Sequence, residues 1–191
     1  MKNLKNLKPF IHPLSDVQTE KIGAETKIWQ YVVVLPNATI GCNCNINSHV
    51  FIENDVIIGD NVTIKSNIHI WDNIRIGNNV FLGPSVVFTN DLMPRSKRRV
   101  PYAPTFVLDG ASIGANSTIL AGVTIGKYAM VGIGSVVTRN VPDYALAYGN
   151  PARIKGWVDK EGNKLASTID NIWVSRDGQK FIVEENKIKK I

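Results

Sequence analysis

His12, His49 and His69 are the chain's three histidines, and histidine is the side chain whose ordinary pKa lies nearest neutrality. A proton acceptor working at pH 7 is therefore sought first among them. The two thiols, Cys42 and Cys44, form a lone C-x-C in an extended segment. They are too close to pair comfortably, and without further Cys or a nearby paired His they make a poor metal site. A zinc centre of three histidines also finds no support, because His49 and His69 lie 20 residues apart and no H-x4-H pair occurs.

The elements that position these groups repeat every six residues. From Ile22 the sixth residue is aliphatic each time, through Ile28, Val34, Ile40, Ile46, Ile52, Ile58, Ile64, Ile70, Ile76 and Leu82 to the apolar Phe88. Four residues after each, from Thr26 through Cys44 to Val86, stands a mostly small or β-branched residue. Gly, Asn, Asp and Pro dominate elsewhere and supply turns. Two inward residues and a turn make one side of a prism, and three sides close a coil of about 18 residues whose strands stack in parallel. The expected fold is an all-β triangular parallel β-helix. Cys44 then packs inside, and both cysteines read as structural.

In this frame His49 occupies a corner, in a polar column with Asn67, Ser85, Asn116 and Gly134 that could line a cleft. His69 points outward beside Ile70, as does Trp71, and His12 falls in an N-terminal cap. The repeat breaks after Phe88 and resumes at Val107, 19 residues on instead of six. A loop over about 89–106 must leave the prism there, stiffened by Pro94, Pro101 and Pro104 and rooted at Asn90 and Asp91. The root pair either serves function or merely caps the loop through Asx turns. Residues 1–16 can cover one end of the stack. The solenoid domain is expected to span 1–158. Residues 159–191 read as a β-hairpin appendage turning at Asp177-Gly178.

A chain of 191 residues, 44% hydrophobic and 20% charged, suits one main domain with a substantial core. It has no apolar signal region and no run of 18 apolar residues, so the expectation is a cytoplasmic protein without membrane insertion. A net charge of +6 allows an anionic partner. The basic runs "KNLKNLK", "RSKRR" and "KIKK" lack a recognition-helix pattern or interleaved aromatics, which argues against nucleic acid.

The hexad array, the single loop opening "FTND" and the run "ILAGVTIGKYAMVGIGSVVTRNVPDYALAYGNPARIKGW" resemble the left-handed β-helix acyltransferases over about residues 11–158. Within them, "IWDNIRIGNNVFLGPSVVFTNDLMPRSK" is similar to the N-acetyltransferases acting on nucleotide-linked 3-amino sugars. "NDLMPRSK" is closer to the dTDP-3-amino-3,6-dideoxyhexose type than to the UDP-3-amino-glucuronate type. The resemblance implies acetyl-CoA as donor, a nucleotide-linked amino sugar as acceptor and no metal. It also implies a homotrimer with sites between subunits, and a role in surface polysaccharide such as lipopolysaccharide O-antigen.

Carried onto these positions, the resemblance makes Asn90 the residue that orients the sugar amine, with the departing CoA sulfur accepting the proton, since an amide is no base. His49 is the alternative acceptor, although it lies outside the loop in which other β-helix acetyltransferases keep their catalytic histidine. Glu53, Trp71, Asp72, Asp91 and Arg95 are candidates for the nucleotide sugar, with Trp71 equally able to fill a subunit interface. Backbone N–H groups near Gly114, Gly132 and Gly134 are expected along the pantetheine arm. Pro151, Arg153 and Lys155 are expected at the adenosine end of CoA. Two other uses of the prism remain: a γ-type carbonic anhydrase, which lacks its histidines here, and a non-catalytic scaffold, against which the loop and "GNPAR" argue.

Overall fold

The computed structural model describes residues 8–98, 100–168, 171–184 and 187–191; residues 1–7 of the expected cap, with most of the first basic run, and Arg99 of the second lie outside them. Each hexad contributes one short strand, such as Thr63–Ile64, whose first residue faces out and whose second faces in. Lys27 pairs with Asn45, Asn45 with Thr63, and Thr63 with Phe81, a register of 18 residues per coil. The strands sort into three sheets of nine, seven and five, the walls of a left-handed parallel β-helix.

One continuous apolar column fills the interior. The residues read as inward, from Ile28 and Val32 through Leu82 and Val86, are almost fully buried, and so are Val107, Ile113, Ile119, Ile125, Val131 and Val137 beyond the loop. Cys44 sits in that column with its thiol directed at the Gly59 carbonyl, 3.1 Å away, and burial pushes its pKa up. Cys42 is exposed.

The corners explain the polar half of the repeat. Asn43, Asn61 and Asn79 turn one corner with positive φ, and His49, Asn67, Ser85 and Asn116 turn the next. A short polar side chain tolerates that left-handed backbone best. Beside the first corner runs a ladder of side-chain acceptors. The Cys42 N–H donates to Asp60, that of Asp60 to Asn78, and that of Asn78 to Asp109, at 2.7–2.8 Å. Each satisfies an amide that the turn tilts away from the strand pairing. Asp109→Ala is therefore expected to lower stability by about 1 kcal/mol, with Asp109→Asn recovering most of it, as measured by urea unfolding.

The break in the repeat appears as a shift of register. Ile74 pairs with Thr105 and Val87 with Thr118, 31 residues apart instead of 18. The loop leaves after Val87–Phe88 and ends sooner than expected, because Thr105–Val107 is already strand.

The ends differ from expectation in two ways. Phe10 pairs with Lys27 and Asp16 with Val33, so residues 10–17 add a further coil instead of covering one. Phe10, Ile11 and Val17 keep enough of the repeat to stack, one residue short of the usual step. His12 turns within that coil, its Nδ1 accepting the Leu14 N–H at 3.1 Å. At the other end Ala145–Gly149 still stacks in parallel, then reverses at the cis Asn150–Pro151 bond into the antiparallel Ala152–Trp157. The expected hairpin joins Ile172–Val174 to Lys180–Glu184 through Gly178, and Ala166–Ser167 and Lys187–Lys190 extend it to four strands. Trp173, Phe181, Val183 and Ile188 pack on the same apolar cluster that contains Trp157 and Leu165.

Candidate functional site

Phe88 is the last inward residue before the loop, and three contacts fix the backbone on either side of it. The Thr89 N–H donates to the Ile119 carbonyl at 3.0 Å, and its hydroxyl accepts the Ala121 N–H at 2.9 Å. From the opposite neighbouring coil, Trp71 Nε1–H donates to the Phe88 carbonyl at 2.8 Å. The returning end is held by the same segment: the Asn73 amide donates to the Tyr102 carbonyl at 3.3 Å, and the Thr105 N–H donates to the Asn73 carbonyl at 3.1 Å. Residues 71–73 thus clamp both ends of the loop.

Asn90 and Asp91 emerge from this clamp with different fates. The Asp91 carboxylate accepts the Met93 N–H at 2.8 Å, an Asx turn. The half-buried Asn90 amide makes no hydrogen bond among the described residues. Asp91 therefore has the turn-forming role, and Asn90 presents an uncommitted donor and acceptor on a rigid root. Arg95 is exposed, its guanidinium resting on the neighbouring Pro94 carbonyl at 2.8 Å.

Trp71 faces the loop root. Its indole is partly buried, and its N–H is committed to the loop root instead of being free for a ligand. The ring lies nearly parallel to His69, centroids 5.6 Å apart, and tilted against Phe51 at 5.8 Å. Counting 18 residues on from Trp71 reaches Thr89, so the register itself could have flagged the contact. Trp71→Phe keeps an aromatic ring and removes the donor. It is expected to lower kcat about tenfold through misplacement of the root. The KM for acetyl-CoA should stay nearly unchanged, and steady-state kinetics on the folded variant would separate the two.

Glu53 and Asp72 meet, but through the backbone. The Glu53 carboxylate accepts the Asp72 N–H at 2.7 Å, and the Asp72 carboxylate accepts the Asp55 N–H at 2.7 Å. Asp55 in turn pairs with Arg75 at 2.7 Å. Burial raises the Glu53 pKa, against the lowering effect of the Asp72 N–H and with a further push from the Asp72 charge. These carboxylates brace the corner beneath the clamp.

His49 stands exposed at its corner with φ of 61°, its ring against Tyr31 at 5.1 Å. Its imidazole makes no hydrogen bond among the described residues, so the ring is free to meet a ligand.

The glycines' own amides are committed within the stack. Gly114, Gly132 and Gly134 donate their N–H groups to Val131, Ala147 and Ala115 within the stack, at 2.8–2.9 Å. A Cβ on Gly114 would stand 2.6 Å from the Ile133 nitrogen, and one on Gly132 2.7 Å from Tyr148 Cβ, so both glycines serve close coil packing. Gly134 alone of the three opens to free space, with φ of 64°. Pro151 sits at the reversal, and Arg153 and Lys155 follow on the exposed side of Ala152–Trp157. They line different clefts. Arg153 shares one of about 340 Å³ with Arg139 and Asn140; Lys155 shares one of about 440 Å³ with Lys164 and Trp173. Arg139 directly follows the last regular hexads and matches no motif, so no sequence pattern singles it out.

Comparison with known proteins fits this architecture. The family model for bacterial transferase hexapeptides (six repeats) matches residues 55–90. A hexapeptide-repeat-containing acetyltransferase of Vibrio cholerae is similar in structure, with a TM-score of 0.52 and 28% identity over 79% of this chain and 74% of that one. The UDP-N-acetylglucosamine acyltransferase of Campylobacter jejuni shares the fold, with a TM-score of 0.59 at 19% identity over 79% and 69%. The dTDP-3-amino-3,6-dideoxy-α-D-galactopyranose 3-N-acetyltransferase of Aneurinibacillus thermoaerophilus is 61% identical over 178 residues, covering 90% of each chain. Similarity of that extent covers nine-tenths of both chains, and the chain belongs to the hexapeptide-repeat acetyltransferases, in the branch of the nucleotide-linked 3-amino-sugar N-acetyltransferases.

Proposed function

We propose that the chain transfers acetyl from acetyl-CoA to the 3-amino group of a dTDP-3-amino-3,6-dideoxyhexose, with the galactose configuration preferred. The observation that carries this is the 61% identity over 90% of both chains to an enzyme named for that reaction. The free Asn90 amide on a clamped root agrees with it. In this reading Asn90 Oδ1 accepts one N–H of the sugar amine and aims the nitrogen lone pair at the thioester carbonyl. The N–C bond forms, the C–S bond breaks, and the electron pair leaves with sulfur, which takes the proton released by nitrogen. A thiol of pKa about 8.5 is an adequate acceptor for so acidic an ammonium adduct. His49 and its corner column contact the sugar side. Arg153, with Arg139 in the same cleft, and Lys155 in the neighbouring one supply cations for CoA phosphates. The reading includes a homotrimer in the cytoplasm. Exposed Ile57, Phe81, Val87 and Phe106 on the flat sheets suit contact with further copies.

The test is thiol release from acetyl-CoA with dTDP-3-amino-3,6-dideoxygalactose, its glucose epimer and UDP-3-amino-glucuronate. Fastest release with the galactose compound is expected. Equal release with the UDP compound would remove the dTDP assignment, and release with none would return the scaffold reading.

A further inference from the structure

We infer that a second site, separate from the loop root, lies between the last coil and the C-terminal sheet and binds a neutral pyranose ring. Its foundation is an aromatic stack at one corner of the prism. Earlier coils turn that corner with Glu25, Asn43, Asn61, Asn79 and Gly110, whereas the last two place Tyr128 and Tyr144 there, both at positive φ. Tyrosine is a poor choice for left-handed backbone, so its use twice in succession calls for a reason beyond turning. Tyr128 lies over Gly110, where a Cβ would approach its ring to 2.4 Å. Tyr144 stacks on Tyr128 with centroids 5.1 Å apart and planes within 16°.

No further coil follows, and Tyr144 becomes one wall of a cleft of about 750 Å³. That volume suits a small-molecule ligand. Phe181 and Ile188 of the C-terminal sheet add apolar lining. The stack thus ends on an aromatic platform that a ring-shaped ligand could continue.

The rim decides the class of ligand. Three cations, Lys160, Arg176 and Lys190, are matched by three carboxylates, Asp159, Glu161 and Asp177, so the cleft favours neither phosphate nor ammonium. Asp159 is already bound by Asn163, and Asp177 by Gln179, which holds them in place. The side chains of Glu161, Arg176 and Lys190 make no hydrogen bond or ion pair among the described residues. They offer acceptors and donors together, as hydroxyl groups need. An aromatic face, balanced charge and mixed donors and acceptors match an uncharged sugar. The C-terminal sheet then acts as one jaw of a saccharide site.

The experiment is saturation-transfer NMR on the full chain with methyl β-D-galactopyranoside, alone and with excess dTDP. Transfer to the sugar is expected to persist under dTDP and to fall about tenfold in Tyr144→Ala, the effect of losing an aromatic platform. Because Tyr144 also packs on the core, Arg176→Ala on the exposed rim provides an independent variant, expected to weaken transfer without loss of fold. Acetyl transfer should be unchanged in Arg176→Ala, which separates this site from the catalytic one. No transfer to the sugar, transfer abolished by dTDP, or transfer unchanged in both variants would overturn the inference.

Discussion

Asn90→Ala is expected to lower kcat about a hundredfold while leaving the KM for acetyl-CoA and the unfolding midpoint nearly unchanged. The Asn90 amide makes no hydrogen bond among the described residues, so its removal leaves no intramolecular partner unsatisfied. Its backbone is fixed by Thr89 on one side and the Asp91 turn on the other, so the loop keeps its course. The loss falls on orientation of the amine alone. Asn90→Asp should also be slow, because a carboxylate there stabilises the ammonium form that cannot attack. Steady-state kinetics of both variants, with acetyl-CoA and sugar varied in turn, provide the check. A kcat within about threefold of the parent protein would remove Asn90 from the reaction and move attention to His49.

Ile64→Ala is expected to lower stability by about 3 kcal/mol. Ile64 stacks between Ile46 and Leu82 within one inward column, fully buried. In a solenoid each coil touches its two neighbours, so a cavity in mid-stack removes packing above and below at once. The same change at Ile28, near the N-terminal coil, should cost less, because fewer coils depend on it. Denaturant midpoints at one fixed protein concentration would compare the two, since any subunit association adds a concentration-dependent contribution. Equal losses would mean that the stack unfolds as one block.

The repeat was legible because each coil solves the same packing problem with the same six positions. Ile28, Val32, Cys44 and Phe88 were readable as buried, and the thirteen-residue excursion was readable from spacing before any register was seen. The ends were less legible. Phe10 and Val17 join the prism with a 17-residue step, which a strict count of 18 discards. The appendage was read as one hairpin because Asp177-Gly178 is a strong local signal, while its outer strands, Ala166–Ser167 and Lys187–Lys190, are too short or too charged to declare themselves.

By itself the sequence determined the period, the inward columns, the corner residues and the place of the loop. These depend on contacts between residues at constant separation, which a linear pattern records. The tertiary structure decided which polar groups are already committed. Trp71 holds the loop root, Glu53 and Asp72 brace a corner, Asp91 closes a turn, the three glycine amides serve the stack, and Asn90 and His49 keep free side chains. A hydrogen-bonding group has one geometry but many possible partners, and only the folded backbone brings a single partner within 3 Å.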